Sequence, residues 1–149
     1  MPTRLLDWSL NPLAAVFFAL EPNDKDGSLL VLDAYQFVPY RGLYTARDPE
    51  FRRAVGAIFD WDDNGWPKHI MPVRPSSHDR RVSAQRGCFT FHPPAVPDLT
   101  RKSNKALQGY RIPAAAKPQL RRELDLLGID EFVAYGDLDH LAQRLKRAY

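Results

Sequence analysis

A short segment near the start of the chain is apolar on every side, and this limits the folds that the sequence can adopt. Asn11-Pro12 is a helix-start signal, because the Asn side chain can accept from a free backbone N–H and Pro at the first helical position loses no hydrogen bond. The pattern predicts a helix from Pro12 to about Glu21 with no polar face. We therefore expect this helix to be central and buried. It is too short to span a membrane, which takes about 20 apolar residues.

Composition favours one globular domain. The 149 residues are 44% hydrophobic and 26% charged, which is near the average for folded domains. Cys88 is the only cysteine, so no internal disulfide can form, and we expect a reducing, cytoplasmic location. The net charge is +3, and the densest basic stretch runs from Arg74 to Arg86. That stretch is either a nucleic-acid-binding patch or a solvated loop.

The rest of the chain alternates short strands with helices. Apolar runs bounded by Gly, Pro and polar residues predict an interior strand at Ser28 to Ala34, an interrupted edge strand at Lys68 to Pro75, a half-buried strand at Gly87 to His92 and a short strand at Tyr110 to Ile112. Helical spacing predicts a helix from Asp48-Pro49 to about Phe59, one with Ala116, Leu120, Leu124 and Leu127 inward that ends at Gly128, and a last helix near Asp137. The sum is an α+β fold with about four helices and a small mixed or antiparallel sheet.

A polar cluster stands immediately before the apolar helix. It consists of Thr3, Arg4, Asp7 and Trp8. In one interpretation Arg4 and Asp7 form a structural ion pair that fixes a turn, and Trp8 fills the core. In the other, Arg4 binds a phosphate or carboxylate with its planar guanidinium and Trp8 is a stacking wall for a flat ring.

A second cluster is the run from Arg80 to Gly87, which leads into the predicted strand at Gly87 to His92. Gly87 permits close backbone approach, Arg81 adds positive charge, and Gln85 offers both a donor and an acceptor, although Gln85 is equally consistent with an ordinary strand entry. The four histidines are scattered without ligand spacing, so no metal site is predicted. Walker, G-x-G-x-x-G and G-x-S-x-G motifs are absent from the sequence.

Three blocks of the chain resemble the FRG domain family. They are PTRLLDWSLNPLAAVFFAL, SAQRGCFTFH and IPAAAKPQLRRELDLLGIDEFVAYGDLDHLAQRLK, so the resemblance extends over residues 2 to 149. Family members carry a strand with an Arg-Gly pair and a Gln-His-x-Gly lead-in before the first block. Here Arg41-Gly42 follows the first strand instead, so we expect an FRG-like domain that lacks its N-terminal strand region.

The resemblance does not identify a chemical reaction for this chain. A hypothesis about the reaction comes from a more distant analogy. The order of motifs is similar to that of ADP-ribosyltransferases, which is an argument from fold alone. It implies a nucleotide site for NAD lined by Thr3 and Arg4 and supported by Trp8, with Gln85 on the catalytic strand and reduced or absent transfer in a truncated domain. Asp7, Arg81 and Gly87 are the further ligand-binding candidates. The alternative is a module that binds nucleic acid or a protein without catalysis.

Overall fold

The computed structural model describes residues 4–22, 24–36, 42–60, 66–76, 86–96, 99, 106–135 and 146. The chain divides into two compact units. Unit 1 comprises Met1–Trp8, Val31–Ser76 and Cys88–Gln108, and unit 2 comprises Ser9–Leu30, Ser77–Gly87 and Gly109–Tyr149. The described part contains four α-helices and two small antiparallel sheets, which confirms the α+β class. No helix in the described ranges is long and apolar enough to cross a bilayer.

Two residues of the opening polar cluster, Asp7 and Trp8, lie on a strand that Arg4 immediately precedes, and not in the turn that one interpretation requires. Strand β1 covers Leu5–Ser9 and is followed by helix α1, Pro12–Ala19. The predicted cap is confirmed, since Asn11 Oδ1 accepts from the N–H groups of Leu13 at 3.1 Å and Ala14 at 3.5 Å. Helix α1 is less central than its composition predicts. It buries Ala14 and Phe17, and Val16, Phe18 and Ala19 pack partly buried against the core of unit 2, whereas Leu13 in the first turn is 37% exposed.

Strand β2, Gly27–Leu32, differs from the interior strand that was expected. It pairs with strand β5, Leu107–Ile112, in a sheet of two strands, so it lies at an edge. Leu30 and Val31 remain about half exposed. A continuous apolar run therefore indicated a strand correctly but gave the wrong degree of burial, because within the described residues β2 is paired only with β5, and Leu30 and Val31 are left partly uncovered.

The second sheet has three strands in the order β1-β4-β3. Strand β3, Met71–Val73, runs antiparallel to strand β4, Gly87–Phe91, with Pro72 opposite Thr90. Pro72 thus occupies an edge strand, as predicted. Beyond it, the N–H of Tyr44 donates to Pro72 O at 2.8 Å and the N–H of Arg74 donates to Tyr44 O at 2.7 Å.

The alternation of residues in strand β4 predicts one buried face. In the structure both faces of the strand are buried. Thr90 on one face and Phe91 on the other are each 1% exposed. Phe91 belongs to the core of unit 1, with Tyr44, Ala54, Met71 and Val73, and partly buried Phe51 and Trp66 pack against it. Helix α2, Pro49–Asp60, covers this side at the predicted position. The core of unit 1 accounts for the burial of the Phe91 face.

The core of unit 2 is formed by helix α1 together with helices α3, Lys117–Leu126, and α4, Glu131–Tyr135. Its buried members are Phe17, Leu20, Ile112, Leu124 and Ala134. The predicted stop at Gly128 is confirmed, with a φ of 75°. The inward position of Leu127 is wrong, because this residue ends the helix and is 64% exposed. The last predicted helix lies outside the described residues, apart from Lys146.

Two charged side chains join the elements of unit 2. Lys117 is 1% exposed, and its Nζ donates to the carbonyl oxygens of Leu20 at 3.1 Å and Pro22 at 2.6 Å. Asp26 accepts from Arg111 Nε at 2.7 Å and from the N–H of Ala114 at 2.9 Å. Both sets of contacts connect the residues that follow α1 to the first residue of α3 or to the residues before it.

Candidate functional site

Strand geometry separates the residues of the opening cluster. Successive side chains of a strand point to opposite faces, so Asp7 lies on the face opposite to Trp8. Within the described part of the chain, Arg4 and Asp7 form no ion pair. The interpretation of these two residues as a structural ion pair is therefore not supported. Thr3 lies outside the described residues.

Arg4 is held on an aromatic stack. Its guanidinium carbon lies 5.6 Å from the centroid of the Trp66 ring. Trp66 in turn stacks on Phe91, with 5.9 Å between the ring centroids and 6° between the ring planes. Arg4 is exposed, and no carboxylate in the described ranges bonds to it. The stack fixes the face of the guanidinium and leaves the N–H groups along its edge for an anion.

Trp8 has contacts that differ from those of a stacking wall. Its Nε1 donates to Thr90 Oγ1 at 2.9 Å, and its ring packs against the buried side chains of Ile70, Val96 and Leu99. Thr90 Oγ1 also lies 2.8 Å from His92 Nε2. These contacts support the interpretation of Trp8 as a core residue. The aromatic residue that contacts Arg4 is Trp66, which sequence reasoning missed because 62 positions separate the two residues.

A second polar group, also missed, lies in unit 1. Tyr44 Oη donates to Glu50 Oε2 at 3.0 Å and lies 3.3 Å from His69 Nε2. His69 Nε2 is 3.7 Å from Glu50 Oε1, and the side chains of His69 and Glu50 are 37% and 40% exposed. We call Tyr44, Glu50 and His69 the polar trio. It can donate to and accept from a bound molecule, and nothing in the spacing of these residues reveals it.

The second sequence cluster is only partly described. Gly87 begins β4 and follows Arg86, which has a φ of 47° and whose carbonyl accepts from the N–H of Leu10 at 3.0 Å. Gln85 and Arg81 lie outside the described residues, so their expected roles stay predictions. Arg74 and Arg86, at the ends of the basic stretch, are exposed.

Two further groups bear on chemistry. Burial raises the pKa of the Cys88 thiol, and the charge of Arg74 opposes this shift weakly. A buried neutral thiol is a poor nucleophile. Within the described ranges, no three His, Cys, Asp or Glu side chains are grouped so that they could hold a metal ion.

Comparison with known proteins gives one match. The family model described as FRG domain matches residues 1–28, a range that contains β1 and α1 and reaches the start of β2. The resemblance to the FRG domain is confirmed over that segment. No curated protein and no solved structure matches the chain.

Proposed function

We propose that this chain, which is similar to the FRG domain over its opening segment, binds a nucleotide through Arg4. The observation that carries the proposal is the exposed guanidinium on the face of Trp66, with no carboxylate bonded to it among the described residues. The ligand class is a phosphate- or pyrophosphate-bearing nucleotide, with NAD as the first candidate.

The chemistry of Arg4 suits a phosphate group. A guanidinium presents parallel N–H donors along its edge, and these match two oxygens of a phosphate. Stacking on Trp66 restricts the side chain before the ligand arrives, so less conformational entropy is lost on binding. Because Trp66 is itself stacked on the buried ring of Phe91, the position of Arg4 is tied to the core of unit 1.

The polar trio supports a nucleotide over a simple anion. A partly exposed carboxylate such as that of Glu50 can accept from the hydroxyls of a ribose, a role that acidic residues have in many dinucleotide sites. His69 lies three positions after Trp66 in the chain, so the two Cα atoms are at most about 10 Å apart. The trio therefore lies within the length of a nucleotide from the stack that holds Arg4.

Group transfer from the bound nucleotide is the further step of this proposal. It rests on the analogy with ADP-ribosyltransferases, with Gln85 as the catalytic candidate. An amide stabilises a developing ribose cation less than a carboxylate does, so we expect binding to be easier to detect than turnover. Release of nicotinamide from labelled NAD, and its loss in Gln85→Ala, is the measurement for this step.

Binding is tested by titration calorimetry with NAD, ADP-ribose and ADP at low salt. Arg4→Ala should weaken binding about tenfold or more, because a hydrogen bond to a charged group contributes about 1.5–3 kcal/mol. Arg47→Ala is the matched control, since Arg47 is an exposed arginine of the same unit. If none of the three ligands binds at millimolar concentration, or if both variants bind equally, the proposal fails. If only an oligonucleotide binds, with an affinity that falls as salt rises, the chain is a nucleic-acid-binding module instead.

A further inference from the structure

We propose that the polar trio makes the nucleotide site selective for a ribose whose 2′-hydroxyl is free. The carboxylate of Glu50 accepts a hydrogen bond from this hydroxyl, so the site disfavours both 2′-deoxynucleotides and 2′-phosphorylated nucleotides. The ribose concerned is the one that adjoins the pyrophosphate in ADP. The inference rests on the proposed binding of a nucleotide by Arg4, and it adds which sugar the site accepts.

The carboxylate of Glu50 is oriented before any ligand binds. Tyr44 Oη donates to Glu50 Oε2 at 3.0 Å, and Tyr44 is 3% exposed, so the donor is fixed in the core of unit 1. Glu50 also lies in the first turn of α2, which fixes its backbone. A side chain that is held in this way loses less conformational entropy when a ligand binds.

The second carboxylate oxygen of Glu50 keeps its capacity to accept a hydrogen bond. Oε1 lies 3.7 Å from His69 Nε2, which is longer than a hydrogen bond. The side chain of Glu50 is 40% exposed, so a ligand can reach this oxygen. A carboxylate only accepts, and the matching group on a sugar is a hydroxyl.

Arg4 and Glu50 are connected through one buried ring, that of Phe91. On one side Trp66, which Arg4 contacts, stacks on this ring with 5.9 Å between the centroids. On the other side the ring of Phe51, the residue after Glu50, lies edge-on to it at 6.4 Å. The core of unit 1 therefore sets the spacing between the group that binds phosphate and the group that binds the sugar.

A charged acceptor at this position selects against two kinds of ligand. A 2′-deoxyribose lacks the hydroxyl, and a site that is built to bond a hydroxyl binds the analogue without it more weakly. A 2′-phosphate instead places a second negative charge against the carboxylate, which is repulsive. Acidic residues select NAD in this way in other dinucleotide sites.

The test is titration calorimetry of the unmodified chain with two ligand pairs at low salt, ADP against 2′-deoxy-ADP and NAD against NADP. We expect ADP to bind about tenfold or more tightly than 2′-deoxy-ADP, because one hydrogen bond to a charged acceptor is lost. NAD should bind more tightly than NADP, and this difference should shrink as salt screens the repulsion. The comparison uses the unmodified chain, so it does not depend on the folding of a variant.

Two variants then assign the selectivity to Glu50. Glu50→Gln removes the charge and keeps a side-chain oxygen, so the preference for ADP over 2′-deoxy-ADP should fall severalfold and the preference for NAD over NADP should disappear. Asp33→Asn is the matched control, because it removes a carboxylate charge from the same unit, and it should retain both preferences. Full selectivity in Glu50→Gln would overturn the assignment.

The outcomes separate this inference from the proposal on which it rests. If ADP binds and Arg4→Ala weakens it, but 2′-deoxy-ADP binds as tightly as ADP, the selectivity is refuted and the binding of a nucleotide by Arg4 stands. If none of the four ligands binds, the binding proposal fails and the selectivity fails with it.

Discussion

Lys117 provides the sharpest test of how unit 2 is held together. Its ammonium is buried at the end of α1, where it donates to the carbonyl oxygens of Leu20 and Pro22. A cation at this position also interacts favourably with the negative end of the helix dipole. Lys117→Met keeps most of the apolar stem and removes the charge and all three donors, so it isolates the contribution of these contacts.

The expected loss follows from the two bonds. Hydrogen bonds to a charged group contribute about 1.5–3 kcal/mol each, and part of this is offset because the variant no longer buries an ammonium group. We expect Lys117→Met to lower the free energy of unfolding by about 3 kcal/mol. That is a large part of the roughly 5–15 kcal/mol that stabilises an ordinary domain. The melting temperature should fall by roughly 6–12 °C.

Urea unfolding followed by far-UV circular dichroism measures this loss. Arg122→Met is the matched control, because Arg122 is an exposed cation on the same helix, and its replacement should change stability by no more than about 0.5 kcal/mol. If Lys117→Met is as stable as Arg122→Met, the two carbonyl contacts do not stabilise the fold and the reasoning is refuted.

Three further predictions concern local geometry and titration. Gly27→Ala should lower stability by about 1–3 kcal/mol in thermal melts, because the new Cβ would overlap the carbonyl oxygen of Ala19 in α1. Gly109→Ala, with its nearest contact at 3.5 Å, should change stability by less than about 1 kcal/mol. A backbone N–H and then an arginine of β5 hold the pKa of Asp26 below 3.8, so its contribution to stability should be lost as the pH falls below about 4, and Asp26→Asn should lack this part of the acid loss in urea unfolding at pH 3 and pH 7. Cys88, which is 6% exposed with a raised pKa, should resist a thiol reagent in the folded protein and react after unfolding; fast reaction in the native state would contradict its burial.

Local signals in the sequence predicted much of the secondary structure. Asn11-Pro12 and Asp48-Pro49 mark two helix starts, Gly128 marks a stop, and Pro72 marks an edge strand, each through chemistry confined to a few neighbouring residues. These features depend on backbone hydrogen bonds and allowed φ values, so a short window of sequence is enough to find them.

Features that depend on distant partners were not predictable. The sequence around β1 was interpreted as a polar cluster and not as a strand, because the strand is defined by its pairing with β4, about 80 positions later in the chain. The burial of individual side chains could not be predicted for the same reason. Lys117 would ordinarily be assigned to the surface, and only the nearby end of α1 explains why it is enclosed. Of the candidate site, Arg4 was found from its sequence context, but Trp66 was not.

The contact of Tyr44 with β3 has a consequence for solubility. A strand at the border of a sheet exposes N–H and C=O groups to which another chain can pair, and proteins commonly protect such borders. In β3 the central position is Pro72, which has no N–H, and its carbonyl is already bonded to Tyr44. A foreign strand would find neither a donor nor an available acceptor at that position without displacing a buried tyrosine. This short strand therefore resists the edge-to-edge pairing that begins aggregation.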